Sequence, residues 1–425
     1  MSEAIAVIQA IKRFTRHRIA RNMFWVAGGT VAGNLFALFG NMYLARVLQP
    51  AGFGKIALAQ TWAQYLLIII DFGFTTYTIR EIAKNRGRKM EFVNTALPFQ
   101  LGAAFVFTAF FCLGTLMFVS SSEMRWLMFG SVFVVYGTAL NLEWAFQGEE
   151  RMSLVAVSRV LSNVLPFILY VLFVRTAGDI LGVPVYRGVG AIAAAVFLLA
   201  LLNGKVSFRR FSWKAAAGLL RRTQFFWYIQ IFVQVYFGTD ILLLGYFRPA
   251  EEVGYYAAAF RLFGLLNLIL SLVNSAIFPV LSDFGENDQP KFFKLIRRYL
   301  AFNIVLGSLL MIVFSLFGRP IIQLLYGPAF ASSAAPFKIL ILGIVILMCN
   351  GPFAQPLLAK GHERRVLVTV IVCAIFNFAG NLLFIPRYGA MASAVVFVLS
   401  LLLGTAWAII LFNRKIGNLV GHERV

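Results

Sequence analysis

Acidic residues are scarce in this chain. Of 425 residues only 17 are Asp or Glu, against 38 Lys or Arg, and the four charged types together make up 13%. Soluble domains carry about a quarter charged residues. Histidine is equally thin: His17, His362 and His422 are the only three, and none falls within an apolar stretch. That argues against an intramembrane acyltransferase or a His proton relay. There are three cysteines, Cys112, Cys349 and Cys373, each within an apolar stretch, so no disulfide is expected. The chain contains no G-x-x-x-x-G-K-[ST] phosphate loop, no Asp-x-Asp pair and no Cys/His cluster with metal spacing. An ATP-binding motor, a metal-bound nucleotide-sugar site and a zinc site are therefore not expected, and no cofactor is.

Apolar residues fill the space, at 60% of the chain. A span needs roughly 20 mostly apolar residues to cross about 30 Å of hydrocarbon. Twelve stretches qualify, near 22–45, 56–79, 93–119, 125–147, 155–174, 188–204, 223–247, 254–281, 299–317, 333–358, 366–385 and 390–412. If the spans alternate in direction, 28 of the 38 Lys and Arg residues fall on one side. Both termini are then expected to be cytoplasmic. The same distribution accounts for the net charge of +21 without nucleic acid. Residues 1–21 intersperse Ile5, Val7, Ile8, Ile11 and Phe14 with basic residues, which predicts an amphipathic helix on the inner leaflet. The longest connections, near 205–222 and 282–298, are basic, and no outside loop exceeds about 15 residues. A catalytic domain has no room there.

The chain also repeats. GKIALAQ at 54–60 matches GYYAAAF at 254–260, each preceded by Pro-Ala, at 50–51 and 249–250. GAIAAAV at 190–196 matches GAMASAV at 389–395. Both pairs sit about 200 residues apart and in the same order. The expected fold is an all-α polytopic membrane protein of about 12 transmembrane helices in two six-helix lobes with a pseudo-two-fold repeat. The lobes would span 22–204 and 223–412, joined by the basic linker 205–222 and followed by a tail at 413–425. Six spans per repeat give both halves one orientation, as in carriers with parallel repeats and a pathway between them. The bland reading of the Gly/Ala blocks is close helix packing.

Charged groups inside spans are costly and functional by default. Asp71 is read as about eight residues from its span end, roughly 12 Å deep at 1.5 Å per residue. Glu143 and Arg159 lie near the inner ends of their spans, and Asp240, Arg261 and Lys338 lie in the outer parts of theirs. Asn267 and Asn274 follow Arg261 at spacings of 6 and 13, broadly on one helix face. Arg261, Arg46, Lys338, Arg159, Asn34, Asn267 and Asn274 are candidates for contact with an anionic, polar substrate. Asp71, Glu143 and Asp240 are candidates for ion coupling or gating. Snorkelling to headgroups competes for Lys338 and Arg159, and pairing of Asp71 or Glu143 with Arg80 or Arg159 competes for the carboxylates.

Four stretches carry a family resemblance: ARVLQPAGFGKIALAQ (45–60), DFGFTTYTIREIAKN (71–85), WAFQGEERM (144–152) and Arg159 after them. They resemble the Wzx-type polysaccharide flippases of the multidrug/oligosaccharidyl-lipid/polysaccharide exporter superfamily. Gly73, Arg80 and Glu81, with Trp144, Gln147 and Gly148, are the positions that match the family's marks. The resemblance implies alternating access and no enzymatic step. It implies an undecaprenyl-diphosphate-linked oligosaccharide as substrate, moved to the outer face of a bacterial inner membrane with ion-gradient coupling. Membrane lipids, a polysaccharide polymerase and a chain-length regulator are the other partners it suggests. An efflux carrier of small amphipathic molecules is the alternative within the same superfamily.

Overall fold

The computed structural model describes residues 18–415 apart from 203, 205, 288 and 361. The expected surface helix over residues 1–21 falls almost wholly outside them. Among the described residues the regular structure is helical. α1 (Arg18–Asp71) is two helical arms joined at a kink, where Gln49 takes φ 59°, ψ 173° and Pro50 follows. Proline lacks the N–H needed to continue the ladder, so the chain turns there without leaving a donor bare. α2 (Phe74–Lys84) is short. α3 (Lys89–Phe118), α4 (Ser122–Ala139), α5 (Glu143–Gly148), α6 (Met152–Phe173) and α7 (Gly182–Ala200) follow. α8 (Trp213–Phe247), α9 (Ala250–Asn287), α10 (Gln289–Tyr326), α11 (Ala334–Ala359) and α12 (Glu363–Lys415) complete the chain. α12 is again two arms, broken at Gly389 (φ 56°) beyond Pro386. Counting the arms of α1 and α12 separately, and setting aside the short α2 and α5, gives twelve long helices among the described residues.

The chain divides into two compact units. Val47 and the described residues before it join Trp62–Gln230, while Leu48–Thr61 joins Ile231 and the residues after it. In the first unit α4 packs on α7, and α6 on α7. In the second α11 packs on α10, α9 and α12. Large apolar side chains point outward from both units: Phe118 is 82% exposed and Leu383 70%. An outward apolar surface of this kind is stable only against lipid.

Four spans differ most from the sequence reading. The ninth, read as 299–317, belongs to a helix over Gln289–Tyr326, so the connection expected near 282–298 is helical among the described residues. The second was read as 56–79, but its helix stops at Asp71, and 74–84 is a separate amphipathic helix. Asp71 therefore sits at a helix end rather than two turns inside a span. The fourth was read as 125–147, but the helix stops at Ala139 and Glu143 opens a new one. The seventh helix starts at Trp213, so it takes in the last part of the basic 205–222 stretch.

The repeated blocks meet within the second unit. A Cβ on Gly54 would lie 1.9 Å from the Ala250 carbonyl oxygen, and one on Gly254 would lie 2.0 Å from the Pro50 carbonyl oxygen. Each glycine faces the Pro-Ala step of the other repeat. Ala57, Ala59, Ala257 and Ala259 are all buried beside them. The blocks are alike because the contact is reciprocal: each must present a bare backbone to the other.

Overpacking a site of this kind costs about 1–3 kcal/mol. Gly254→Val should lower the thermal midpoint of the detergent-purified protein, read by size-exclusion recovery after heating. An unchanged midpoint would mean the reciprocal contact contributes nothing to stability.

Candidate functional site

The polar side chains of the first unit converge where two helices end early. α1 stops at Asp71 because Phe72 (φ 49°) and Gly73 (φ 73°) both enter the left-handed region. A Cβ at Gly73 would lie 2.7 Å from the Trp227 backbone nitrogen, so glycine is required by contact as well as by φ. The last carbonyls of a helix have no partner of their own. Trp227 Nε1 supplies one, donating to the Ile68 carbonyl at 3.0 Å, and its ring lies 5.1 Å from that of Phe72. Asp71 is held by Thr75, whose hydroxyl donates to its Oδ1 at 2.5 Å.

The second break lies between α4 and α5. The Leu140 N–H reaches the Tyr136 carbonyl at 3.0 Å, and Asn141 Oδ1 accepts from the Glu143 N–H at 2.9 Å. Glu143 then receives Arg159 Nε at 3.0 Å on Oε2, while Arg159 Nη1 donates to Thr30 Oγ1 at 2.8 Å. The guanidinium thus ties α6 to both α5 and the first arm of α1. Asp71, Thr75, Gln100, Asn141, Glu143 and Gln147 line one cavity of about 260 Å³, closed on other sides by Arg159 and Trp144.

Beneath this cavity the two quoted stretches interlock. Trp144 and Phe146 join Phe74, Ile82 and Phe92 in one buried cluster. A Cβ on Gly148 would lie 2.6 Å from Ile82 Cβ, so α5 can approach α2 only with glycine there. Glu150, at φ 61°, turns the chain back sharply, and the Arg151 N–H reaches the Phe146 carbonyl at 2.9 Å. Ion pairs seal the rim: Lys89 to Glu149 at 2.7 Å, Arg86 to Glu150 at 2.6 Å and Lys84 to Glu81 at 2.9 Å. The Lys84 hydrogen bond holds the Glu81 carboxyl below its ordinary range.

Of the residues expected to matter, Asp71, Glu143, Gln147, Trp144 and Arg159 come together here. Glu143 takes Arg159 as partner; Asp71 takes Thr75. Gly73, Glu81 and Gly148 build the wall, and Arg80 is exposed at its edge. Asn34 and Arg46, in the first unit, are exposed on the first arm of α1. The second unit holds a different set. Arg261 lies 4.5 Å over the Phe53 ring and donates Nη2 to Gln60 Oε1 at 2.7 Å. Asp240 is fully buried and accepts from the Tyr256 hydroxyl. Asn274 accepts from the Tyr299 hydroxyl, Asn267 is half-buried, and Lys338 is exposed.

Neutral polar residues were missed by a search for charges. Thr75, Gln100 and Asn141 line the first cavity. In the second unit Asn377, Asn381, Ser393 and Ser400 are buried on α12, with Asn381 Nδ2 donating to Asn377 Oδ1 at 2.9 Å. Two amides four residues apart in an apolar span were the available signal. Among the described residues, no three His, Cys, Asp or Glu side chains gather as metal ligands.

The wall offers a graded test. Lys89 is nearly buried, so Glu149→Ala leaves an uncompensated ammonium, at about 3–5 kcal/mol. Arg86 and Glu150 are exposed, so loss of their ion pair in Glu150→Ala costs about 1 kcal/mol or less. Thermal unfolding of both variants in one detergent should rank Glu149→Ala well below Glu150→Ala. Equal midpoints would contradict the buried pairing.

Comparison with known proteins places this geometry in a family. The model of a family described as polysaccharide biosynthesis protein matches residues 19–284, and that of the MatE family matches 228–383. A protein of Escherichia coli (strain K12) named "Putative O-antigen transporter" is 22% identical, over 84% of this chain and 88% of its own. The fold is similar to that of the lipid II flippase MurJ in an inward closed conformation. The TM-score there is 0.75 at 14% identity, covering 91% of this chain and 86% of that one. It is also similar to an inward-facing multidrug resistance MATE family transporter of the MOP superfamily. That TM-score is 0.73 at 15% identity, covering 92% and 96% of the two chains. With more than half its length matched by the first model, the chain belongs to the polysaccharide biosynthesis protein family.

Proposed function

We propose that the protein is a flippase. It carries an undecaprenyl-diphosphate-linked oligosaccharide from the inner to the outer leaflet of a bacterial cytoplasmic membrane by alternating access, driven by an ion gradient. The observation that carries this reading is the match to the protein named "Putative O-antigen transporter", over 84% of this chain and 88% of that one. The positive-inside bias supports both termini facing the cytoplasm, and the repeated blocks support two six-helix repeats over 22–204 and 223–412.

The chemistry is consistent with that cargo. Moving a hydroxyl into hydrocarbon without a partner costs roughly 4–8 kcal/mol, and an isolated charge costs far more. An oligosaccharide on a diphosphate needs a path lined with hydrogen-bonding groups and at least one cation. Arg261 is our first candidate for the diphosphate or an acidic sugar. Its guanidinium is held by an aromatic face and a neutral amide, and its planar fork suits bidentate contact with phosphate oxygens. Arg46, Lys338, Asn34, Asn267 and Asn274 are further candidates along the path. Asp240 and Asp71 are candidates for ion coupling, and the Glu143–Arg159 pair for gating. A polysaccharide polymerase and a chain-length regulator are natural neighbours for such a product.

The MatE match over residues 228–383 favours a second reading, export of small amphipathic molecules. Liposomes containing the purified protein separate the two. A fluorescent polyprenyl-diphosphate oligosaccharide should change leaflets faster when an ion gradient is imposed, and Arg261→Ala should abolish that movement while inserting normally. Absence of movement by the intact protein, together with gradient-driven uptake of a cationic dye, would replace the flippase reading with the second. Full activity of Arg261→Ala would remove Arg261 from the path.

A further inference from the structure

A second recess in the first unit is built from residues that the transport reading leaves unused. It occupies about 280 Å³ between α2, the start of α3 and the start of α8. Tyr77, Arg88, Glu91, Lys214 and Arg222 line it, together with Phe92. The charges do not cancel. Both oxygens of Glu91 are taken by Arg88, with Nε and Nη2 each at 2.9 Å. That leaves Lys214 and Arg222 in the recess with no further carboxylate in its lining.

The remaining groups are donors. Arg222 Nη1 donates to the Tyr77 oxygen at 3.3 Å, which leaves the Tyr77 hydroxyl proton to be given to something else. Lys214, Gly218 and Arg222 are spaced four apart on α8 and so share one helix face. Gly218, between the two cations, keeps the recess open, because a Cβ there would meet nothing within 4 Å. Phe92 is buried, carries the Arg88 guanidinium 4.9 Å above its ring and meets Tyr77 edge-on at 6.3 Å.

The surroundings indicate what reaches this opening. Trp213, the residue before Lys214, is 73% exposed, and Phe208 just before α8 is 60% exposed. Trp213 nevertheless packs against Phe99 and Phe211, at 6.1 and 5.1 Å. Anchored, outward-facing aromatic rings beside clustered cations are the pattern of a segment lying at headgroup depth. A recess with three cations and one carboxylate in its lining, at that depth, meets phosphate esters.

We infer that the recess formed by Tyr77, Lys214, Gly218 and Arg222 binds the phosphate group of an anionic membrane lipid. Two sources carry that chemistry, the bulk acidic phospholipid and a polyprenyl-diphosphate carrier. The phosphate takes its hydrogen bonds from Lys214, Arg222 and the Tyr77 hydroxyl, and its chain stays beside Trp213. The site does not depend on the flippase assignment, because it requires only that this end of α8 lie at the bilayer surface.

The purified full-length protein, in mild detergent, would be titrated with phosphatidylglycerol, polyprenyl diphosphate or phosphatidylcholine and bound lipid counted by native mass spectrometry. The intact protein should retain phosphatidylglycerol, polyprenyl diphosphate or both in preference to phosphatidylcholine. Lys214→Ala/Arg222→Ala should weaken the preferred lipid about thirty-fold. Gly218→Trp, which fills the recess without touching a charge, should weaken it as well while eluting as a folded protein. Preference for phosphatidylglycerol lost in both variants assigns the site to bulk phospholipid, and preference confined to polyprenyl diphosphate assigns it to the carrier. No preference over phosphatidylcholine, or retention unchanged in the two variants, would overturn the site.

Discussion

Hydrocarbon offers no hydrogen bonds to a peptide group, and that constraint organises the rest of this chain. Each N–H and C=O within the bilayer must be satisfied by the chain itself, so spans are helices, and any break in a helix has to be covered by named partners. The breaks are few and each has its cover. At Gln49 the following Pro50 brings no N–H to satisfy, and beyond Gly389 the Ala390 N–H donates to Glu252 Oε1 at 2.8 Å. At Asp71–Gly73 the Trp227 indole takes over an orphan carbonyl. Between α4 and α5 the Asn141 side chain accepts what the missing turn would have bonded. The same breaks free Asp71, Asn141 and Glu143 from continuous helix and turn them toward one cavity. The polar site is thus a by-product of where the helical ladder is interrupted.

The two quoted stretches of the first half acquire a physical meaning from this arrangement. They read as marks of a family, but most of their residues make a wall. Gly148 is there because Ile82 lies against it, Gly73 because Trp227 does, and Trp144 because Phe74, Ile82 and Phe92 surround it. Asp71, Thr75 and Gln147 are the polar residues of these stretches that line the cavity. Alternating access requires at least two stable arrangements of helices, and rigid walls are what let a helix bundle move as a body. A stretch of this kind can therefore be shared among proteins that carry different cargo.

Much of the fold was legible because hydropathy reports lipid contact directly. Long apolar runs gave the spans, and their number agrees with the twelve long helices. The ends of helices were less legible. Phe72 and Phe74 raise the local hydropathy, so the second span reads on to residue 79 and Asp71 reads as two turns deep. Only Gly73, one residue after a bulky aromatic, hinted at the turn. The pairing of Glu143 with Arg159 could be listed as one of several options, but its choice depends on the break at Leu140–Leu142, which no periodicity marks. Gln100, Asn377 and Asn381 were less legible because an amide carries no formal charge to mark it within a span, while still needing a partner.

The reciprocal glycines bear on how such a chain came to have two similar halves. Gly54 and Gly254 are in register in sequence, and each lies against the Pro-Ala step of the other block. A single unduplicated block could make this contact only with a second copy of itself, because the surface is self-complementary in the way a two-fold interface requires. Joining two copies in one chain removes the entropy of association and frees each block to diverge. The blocks differ where the contact does not constrain them: Lys55 aligns with Tyr255, and Gln60 with Phe260. Where the backbones touch, glycine and alanine remain. Gln60 is meanwhile a partner of Arg261, the residue one step past its own counterpart, so a polar pair within the second unit joins the two matching blocks.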